Sequence, residues 1–273
     1  MNVDLPALLE PVRAIALEAG RRIVEIYHSN NFSVTQKDDH SPLTRADLIA
    51  HTITVRGLMA LTPAIPVISE EAPAVALNER RHWEWLWLVD PLDGTREFIR
   101  RSGQFSVNIA LIHEHAPVLG LILIPVSGVC YFAYRHGGAF KLLPNGQSRA
   151  IHTRHRNGHQ LVRVVASIRA HHCRTLQGYL NRLGRYDYLD VGGALKSCLV
   201  AEGQADIYPR FGPTGEWDTA AAQIIVEEAG GGLTDLRQQP LRYNARATLT
   251  NPDFLVFGDA SHDWSQYLPG HYS

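Results

Sequence analysis

Two aspartates three residues apart, Asp90 and Asp93, end the apolar run in WLVDPLDGTREF (87–98). Carboxylates at the end of a buried strand are costly unless something compensates them. A hard divalent cation such as Mg²⁺ does so directly, because it takes oxygen ligands. A turn of this length can aim both carboxylates and the Leu92 carbonyl at one region, and Pro91, which lacks an N–H, stiffens it. Gly94 and Thr95 then open a short helix predicted over 95–101. Free N–H groups at a helix start attract phosphate, and glycine permits close approach. A cation site beside a phosphate cradle is the arrangement that phosphoryl transfer to water requires. Asp93 as a helix cap and Asp90 as a strand-end turn residue account for the bare spacing equally well.

Further acids stand at predicted element ends. Glu70 and Glu71 close a strand over 65–69, and Asp218 stands near the start of a helix over 217–229. Each alone fits a cap or a surface acid. Together with the aspartate turn they supply the oxygen set of a site for two or three Mg²⁺ ions.

The elements that must position these residues follow from periodicity. Apolar residues from Leu8 to Ile26 recur at helical spacing and predict a helix over 5–28. A strand at 32–35 and a second helix at 44–61 follow, then the strands 65–69 and 85–90. Runs at 106–113, 118–125, 129–134 and 139–143, divided by turn residues, predict an antiparallel meander. Beyond a polar stretch at 152–160, strands (162–166, 186–191, 205–208, 254–257) alternate with helices (171–183, 195–201, 217–229) in α/β style. The chain is expected to form an α+β half over 1–155 carrying the metal and phosphate motif. An α/β half over 156–273 completes the site and binds the leaving group, the two forming one compact unit.

Composition narrows the classes. The 273 residues carry a formal net charge of −1, so no bulk field draws nucleic acid. The longest apolar run, 118–126, is too short to span a bilayer, and the first twenty residues lack the build of a secretory signal. A cytoplasmic protein is expected, with peripheral association with the inner membrane left open, as is the oligomeric state. Cys130, Cys173 and Cys198 are odd in number and form no CxxC pair, which fits reduced thiols. The histidines at 152–159 and 171–172 show no helical metal-binding frame and are taken as a polar loop.

These strings resemble the inositol monophosphatase superfamily of Mg²⁺-dependent, lithium-sensitive phosphatases. The resemblance covers nearly the whole chain. It rests on SPLTRADLIAH (41–51), ISEE (68–71), WLVDPLDGTREFIRRSGQFSVNIALI (87–112), LKSCLVAEGQADIYPRFGPTGEWDTAA (195–221) and LTNPDF (249–254). The uninterrupted VAEGQADIYPRFGPT and the GTREF ending are most similar to its bisphosphate nucleotidase branch. The resemblance implies a layered α/β/α/β/α sugar-phosphatase fold. It implies that Glu70, Asp90 and the Leu92 carbonyl hold one metal ion, and that Asp90, Asp93 and Asp218 hold a second. Gly94 and Thr95 would bind the scissile phosphate, and Thr95 with Asp47 would orient and deprotonate the attacking water. Asp47 also fits a capping box with Thr44.

The implied reaction is hydrolysis of adenosine 3′(2′),5′-bisphosphate to AMP and phosphate, linked to sulfate assimilation, with the sulfated nucleotide as a further substrate. The branch pattern is not complete. Its Ser-Arg-Ser-His string is Ile168-Arg169-Ala170-His171 here, and its Gly-Ser-Ser-Leu-Lys string is Gly192-Gly193-Ala194-Leu195-Lys196. His171, Lys196 and Arg210 remain to meet the leaving group and its second phosphate, although Lys196 and Arg210 also fit ordinary structural cations. An inositol or sugar monophosphatase with the same mechanism is the neighbouring reading. A non-catalytic nucleotide- or metal-sensing protein is the reading from another class.

Overall fold

The computed structural model describes residues 3–29, 34–37, 42–156, 160–167 and 173–270. Helix α1 (Leu5–His28) leads to a hairpin of β1 (Val34–Gln36) and β2 (Pro42–Thr44), then to α2 (Arg45–Leu61). A sheet follows, built from β3 (Val67–Ser69), β4 (Trp85–Asp93), β5 (Ser106–His113), β6 (Ala116–Ile124), β7 (Val129–Tyr134), β8 (Gly138–Leu142) and β9 (Ser148–Ala150). Its strand order is sequential, with β3 parallel to β4 and every later pair antiparallel. The short helices α3 (Leu77–Arg80) and α4 (Thr95–Ile99) flank β4.

The central strands are apolar on both sides because both sides are covered. Trp87, Val89, Ile109, Leu111 and Leu121 face α1 and α2, packing on Val12, Ala16, Ile23 and Leu58. The alternate residues Leu86, Leu88, Ala110, Ile112 and Ile122 face the other way, onto α7 (Ala220–Glu228) and α6 (Leu195–Ala201). This is the period of two that a strand imposes. Gly120 makes the second packing possible: a Cβ there would stand 2.5 Å from the Ala221 carbonyl oxygen.

Helices α6 and α7 are shared with a second sheet of order β11 (Tyr186–Asp190), β10 (Val162–Ala166), β12 (Ile207–Arg210), β14 (Phe254–Phe257) and β13 (Gly232–Asp235). Val165, Leu233, Phe254 and Val256 meet these helices. The outer face packs on α5 (Arg174–Leu183) and a 3₁₀ turn, Trp264–Tyr267, through Val164, Leu176, Tyr179 and Trp264. The layers therefore run helix, sheet, helix, sheet, helix, as the sequence resemblance implied.

The structure refines the alternating reading of the second half. Only β10 lies parallel to its neighbours β11 and β12; β12, β14 and β13 pair antiparallel. The helix expected over 217–229 is broken into a 3₁₀ turn, Glu216–Asp218, and α7. Strands β2, β9 and β13 and the helix α3 are too short for periodicity to register.

Candidate metal and phosphate site

The parallel pairing of β3 with β4 aligns Ser69 with Val89, which sets the next residues, Glu70 and Asp90, side by side. Asp218 arrives from the Glu216–Asp218 turn, which packs against β4 and β5. Carboxylate oxygens of Glu70, Asp90 and Asp218 lie within 4.8 Å of one another, the one such group among the described residues. Asp90 is buried and accepts a hydrogen bond from Leu92 N at 3.0 Å. A β-bulge between Asp90 and Asp93 lets the strand turn there.

The turn that delivers Asp218 is anchored at long range. Asp218 Oδ2 accepts from Gly215 N at 2.8 Å. The carbonyl of Gly215 accepts from Asn251 Nδ2 at 2.6 Å, and buried Glu216 accepts from Asn244 N at 2.6 Å. Arg80, itself buried, donates to Asn244 Oδ1 at 2.7 Å and to the Arg246 and Ala247 carbonyls.

Asp93 stands apart from this trio. Its Oδ2 accepts from Ala194 N at 2.5 Å, and it lines the same cleft as Asp218. Gly193, at φ +55°, makes that approach possible, since a Cβ there would meet Asp93 Oδ2 at 3.1 Å. Gln104 supports the loop by accepting from Gly192 N at 2.8 Å.

The two carboxylate oxygens of Asp47 have different partners. Oδ2 accepts from Thr44 N at 2.7 Å and from Thr44 Oγ1 at 2.5 Å, completing a capping box for α2. Oδ1 accepts from Thr95 Oγ1 at 3.0 Å. The Thr95 hydroxyl also lies 3.4 Å from the Leu92 carbonyl oxygen. Gly94 caps α4 with φ +90°.

Burial dominates the electrostatics. It holds the Asp90 carboxyl well above its usual range, with Glu70, Asp93 and Asp218 adding to the effect. Burial, then the charges of Asp93 and Glu70, pushes Asp218 up to about 8. Asp93 is raised by burial and partly relieved by Lys196. Asp47 is raised by burial against the pull of its hydroxyl partners. Lys37 reaches into the cluster, donating to Glu70 at 2.7 Å and Glu71 at 2.6 Å. Burial would depress this lysine, but the two glutamates outweigh it and raise its pKa. Converging carboxylates, with the ionisation of Asp90 and Asp218 opposed by burial and by neighbouring charge, are the donor set a hard divalent cation relieves.

The cleft beside these acids has a volume of about 360 Å³. Asp93, Gly94, Asp218, Lys196, Tyr208, Arg210 and Phe211 are among the residues that line it. Lys196 Nζ donates to the Gly193 carbonyl at 2.6 Å and sits 5.2 Å from the Tyr208 ring centre. Arg210 donates to the Pro213 carbonyl at 3.1 Å. Ile168, Ala170 and His171 lie outside the described residues.

Three features escaped the sequence reading: Lys37, Gln104, and buried Ser106, whose hydroxyl lies 3.5 Å from Asp93 Oδ2 and donates to Asn108. The signal for the last was present, since two polar residues interrupt the buried apolar run of β5. Lys37 and Gln104 act across distances that local pattern does not encode.

The model of the inositol monophosphatase family matches residues 4–262. The chain is 45% identical over 250 residues to the 3′(2′),5′-bisphosphate nucleotidase CysQ of Salmonella typhimurium, covering 91% of this chain and 99% of that one. It is 40% identical over 262 residues to the protein of the same name from Aggregatibacter actinomycetemcomitans, covering 95% and 96%. Among solved structures it resembles CysQ from Bacteroides thetaiotaomicron, described as a bacterial member of the inositol monophosphatase family. The TM-score is 0.81 at 37% identity, covering 94% of this chain and 99% of that one.

Proposed function

Because this chain belongs to the inositol monophosphatase family, we propose that it is a Mg²⁺-dependent phosphatase that converts adenosine 3′(2′),5′-bisphosphate to AMP and phosphate. The observation that carries this reading is the convergence of Glu70, Asp90 and Asp218 within 4.8 Å, with Asp218 lining a cleft that Lys196 and Arg210 also line. The nucleotidases among its relatives support the choice of substrate.

Glu70, Asp90, Asp218, Asp93 and the Leu92 carbonyl would hold two or three Mg²⁺ ions. Bound there, the cations neutralise charge on phosphate and carboxylates and acidify water. The chain's own residues do the rest. Thr95 presents a hydroxyl oxygen to the attacking water while its proton is committed to Asp47 Oδ1. Asp47, with its carboxyl already raised by burial, is the proton acceptor behind it. The backbone N–H groups of Gly94 and Thr95 face the phosphate being removed. Water adds to phosphorus as the ester P–O bond breaks, and a proton is returned to the departing ribose oxygen. Lys196 and Arg210 hold the leaving nucleotide through its remaining phosphate, and Tyr208 and Phe211 give its nucleoside an apolar wall; a part for His171, which lies outside the described residues, rests on the sequence resemblance alone. The product chemistry links the enzyme to sulfate assimilation, where this bisphosphate is a by-product.

A phosphate-release screen with Mg²⁺ across nucleotide bisphosphates, sugar phosphates and inositol 1-phosphate tests the proposal. Preference for the adenosine bisphosphate is expected. Equal or better turnover of the inositol ester would transfer the same machinery to an inositol monophosphatase. Tight nucleotide binding without phosphate release would make the protein a sensor.

A further inference from the structure

Strand β5 is buried along nearly its whole length, yet two of its buried residues are polar. Ser106 and Asn108 are each 1% exposed. The Ser106 hydroxyl donates to Asn108 Oδ1 at 2.8 Å and lies 3.5 Å from Asp93 Oδ2. The other end of the amide, Nδ2, is buried with no hydrogen-bond partner among the described residues. Buried donors are rarely left in that condition, because burial strips them of water. Register identifies the acceptors within its neighbourhood. Asn108 lies directly opposite Asp90 across the antiparallel pair, and Ser106 lies opposite Asp93. Opposed residues of such a pair project to the same face. The 3₁₀ turn carrying Asp218 packs against the same two strands.

We propose that Asn108 is a positioning residue for the carboxylate cluster. Its unspent N–H donors serve Asp90 when that carboxylate is ionised around a cation, and Ser106 fixes the amide while touching the second aspartate of the turn. The pair would thus bind the two aspartates of DPLD into one unit from behind. This inference rests on the functional reading above. It predicts that two measurements on one variant separate. In Asn108→Leu, which keeps the branched shape and deletes the amide, the dissociation constant for Mn²⁺, read by electron paramagnetic resonance, should rise ~10–100-fold, the range typical of outer-shell partners. The unfolding midpoint of the metal-free protein should change little, because removal of a buried unpaired donor offsets the acceptor lost to the Ser106 hydroxyl. Ser106→Ala should weaken Mn²⁺ binding by a smaller factor. The double variant should fall short of the product of the two, since both act on one unit. Asn108→Thr, which suits a strand and restores a hydroxyl donor, should recover part of the affinity. Should the leucine variant fail to fold, Asn108→Ala puts the same question. Mn²⁺ affinity left unchanged in a folded Asn108 variant overturns the role of Asn108 alone. So does affinity that falls only in step with the metal-free midpoint. Failure of the unaltered protein to bind Mn²⁺ overturns the functional reading as well.

Discussion

The two walls of the candidate site are built differently. On the seven-stranded side, Glu70 and Asp90 stand at the ends of paired strands, fixed by backbone register and packed between two helical layers. On the other side, Lys196 and Arg210 are held by separate contacts to carbonyls, and the Gly192–Gly193–Ala194 loop by contacts to Gln104 and Asp93. One wall has geometry that a side-chain change can hardly move. The other is a set of separate contacts that can change one at a time. The departures from the nucleotidase branch at 193 and 194 fall on the second wall, and the acid cluster keeps its full complement. On the proposed function, reaction chemistry and choice of leaving group would reside in parts of the fold with different tolerance to substitution.

Breaking the rigid wall should have the largest effect. Asp90→Asn removes the carboxylate at the centre of the trio and is expected to depress phosphate release by more than the ~10²–10⁴-fold that a general acid or base supplies. Its metal-free unfolding midpoint should stay level or rise, because a buried charge is gone. Residual turnover near the parent rate would refute the site. Next in size, Thr95→Val should cost ~10²–10⁴-fold in kcat with Mn²⁺ affinity held within a small factor, separating water orientation from metal holding.

On the adaptable wall, Lys196→Gln should act on the substrate more than on the chemistry. A hydrogen bond to a charged group contributes ~1.5–3 kcal/mol, so kcat/KM for the bisphosphate should fall roughly 10–150-fold. Substrates lacking the second phosphate should be far less affected. Uniform loss across all substrates would erase the proposed division between the walls.

The smallest effect is on stability, and pH reveals it. Asp218, at about 8, binds its proton more tightly in the folded chain than its ordinary value of 3.8 allows. Its contribution to the metal-free fold is therefore complete below about pH 4 and lost as pH rises through about 8. Glu71, raised to about 7 by burial with Lys37 opposing, acts in the same direction. Unfolding midpoints in chelator should fall from about pH 5 to about pH 9, and the gain on adding Mg²⁺ should widen over that range, because cation binding displaces those protons. A gain independent of pH would place the cation elsewhere.

Much of this was legible in the chain. The meander was readable because both faces of its strands are covered, which writes itself as uninterrupted apolar runs with turn residues between them. Asp90, Asp93 and Gly94 were legible because one short string holds them. The capping role of Asp47 was legible from Thr44 three residues before it, and the hydrogen bond that its other oxygen accepts from Thr95 leaves room for the proposed second role. The break at Thr219 that leaves Asp218 at the end of a 3₁₀ turn was not, since it is imposed by Asn244 and Asn251 from beyond the helix. Nor was the salt bridge from Lys37, whose partners are 33 and 34 residues away.

The anchoring of the Asp218 turn has a consequence for how the protein comes into being. Glu70 and Asp90 belong to strands that leave the ribosome early. Asp218 is seated by residues 244 and 251 and by Arg80 reaching across 164 positions. A nascent chain that ends before Asp218 holds only part of the cation trap, and one face of its first sheet still awaits α7. The hydrolase would thus switch on as one of the last acts of its own biosynthesis, sparing the cell a half-made enzyme that sequesters ions without turning over substrate.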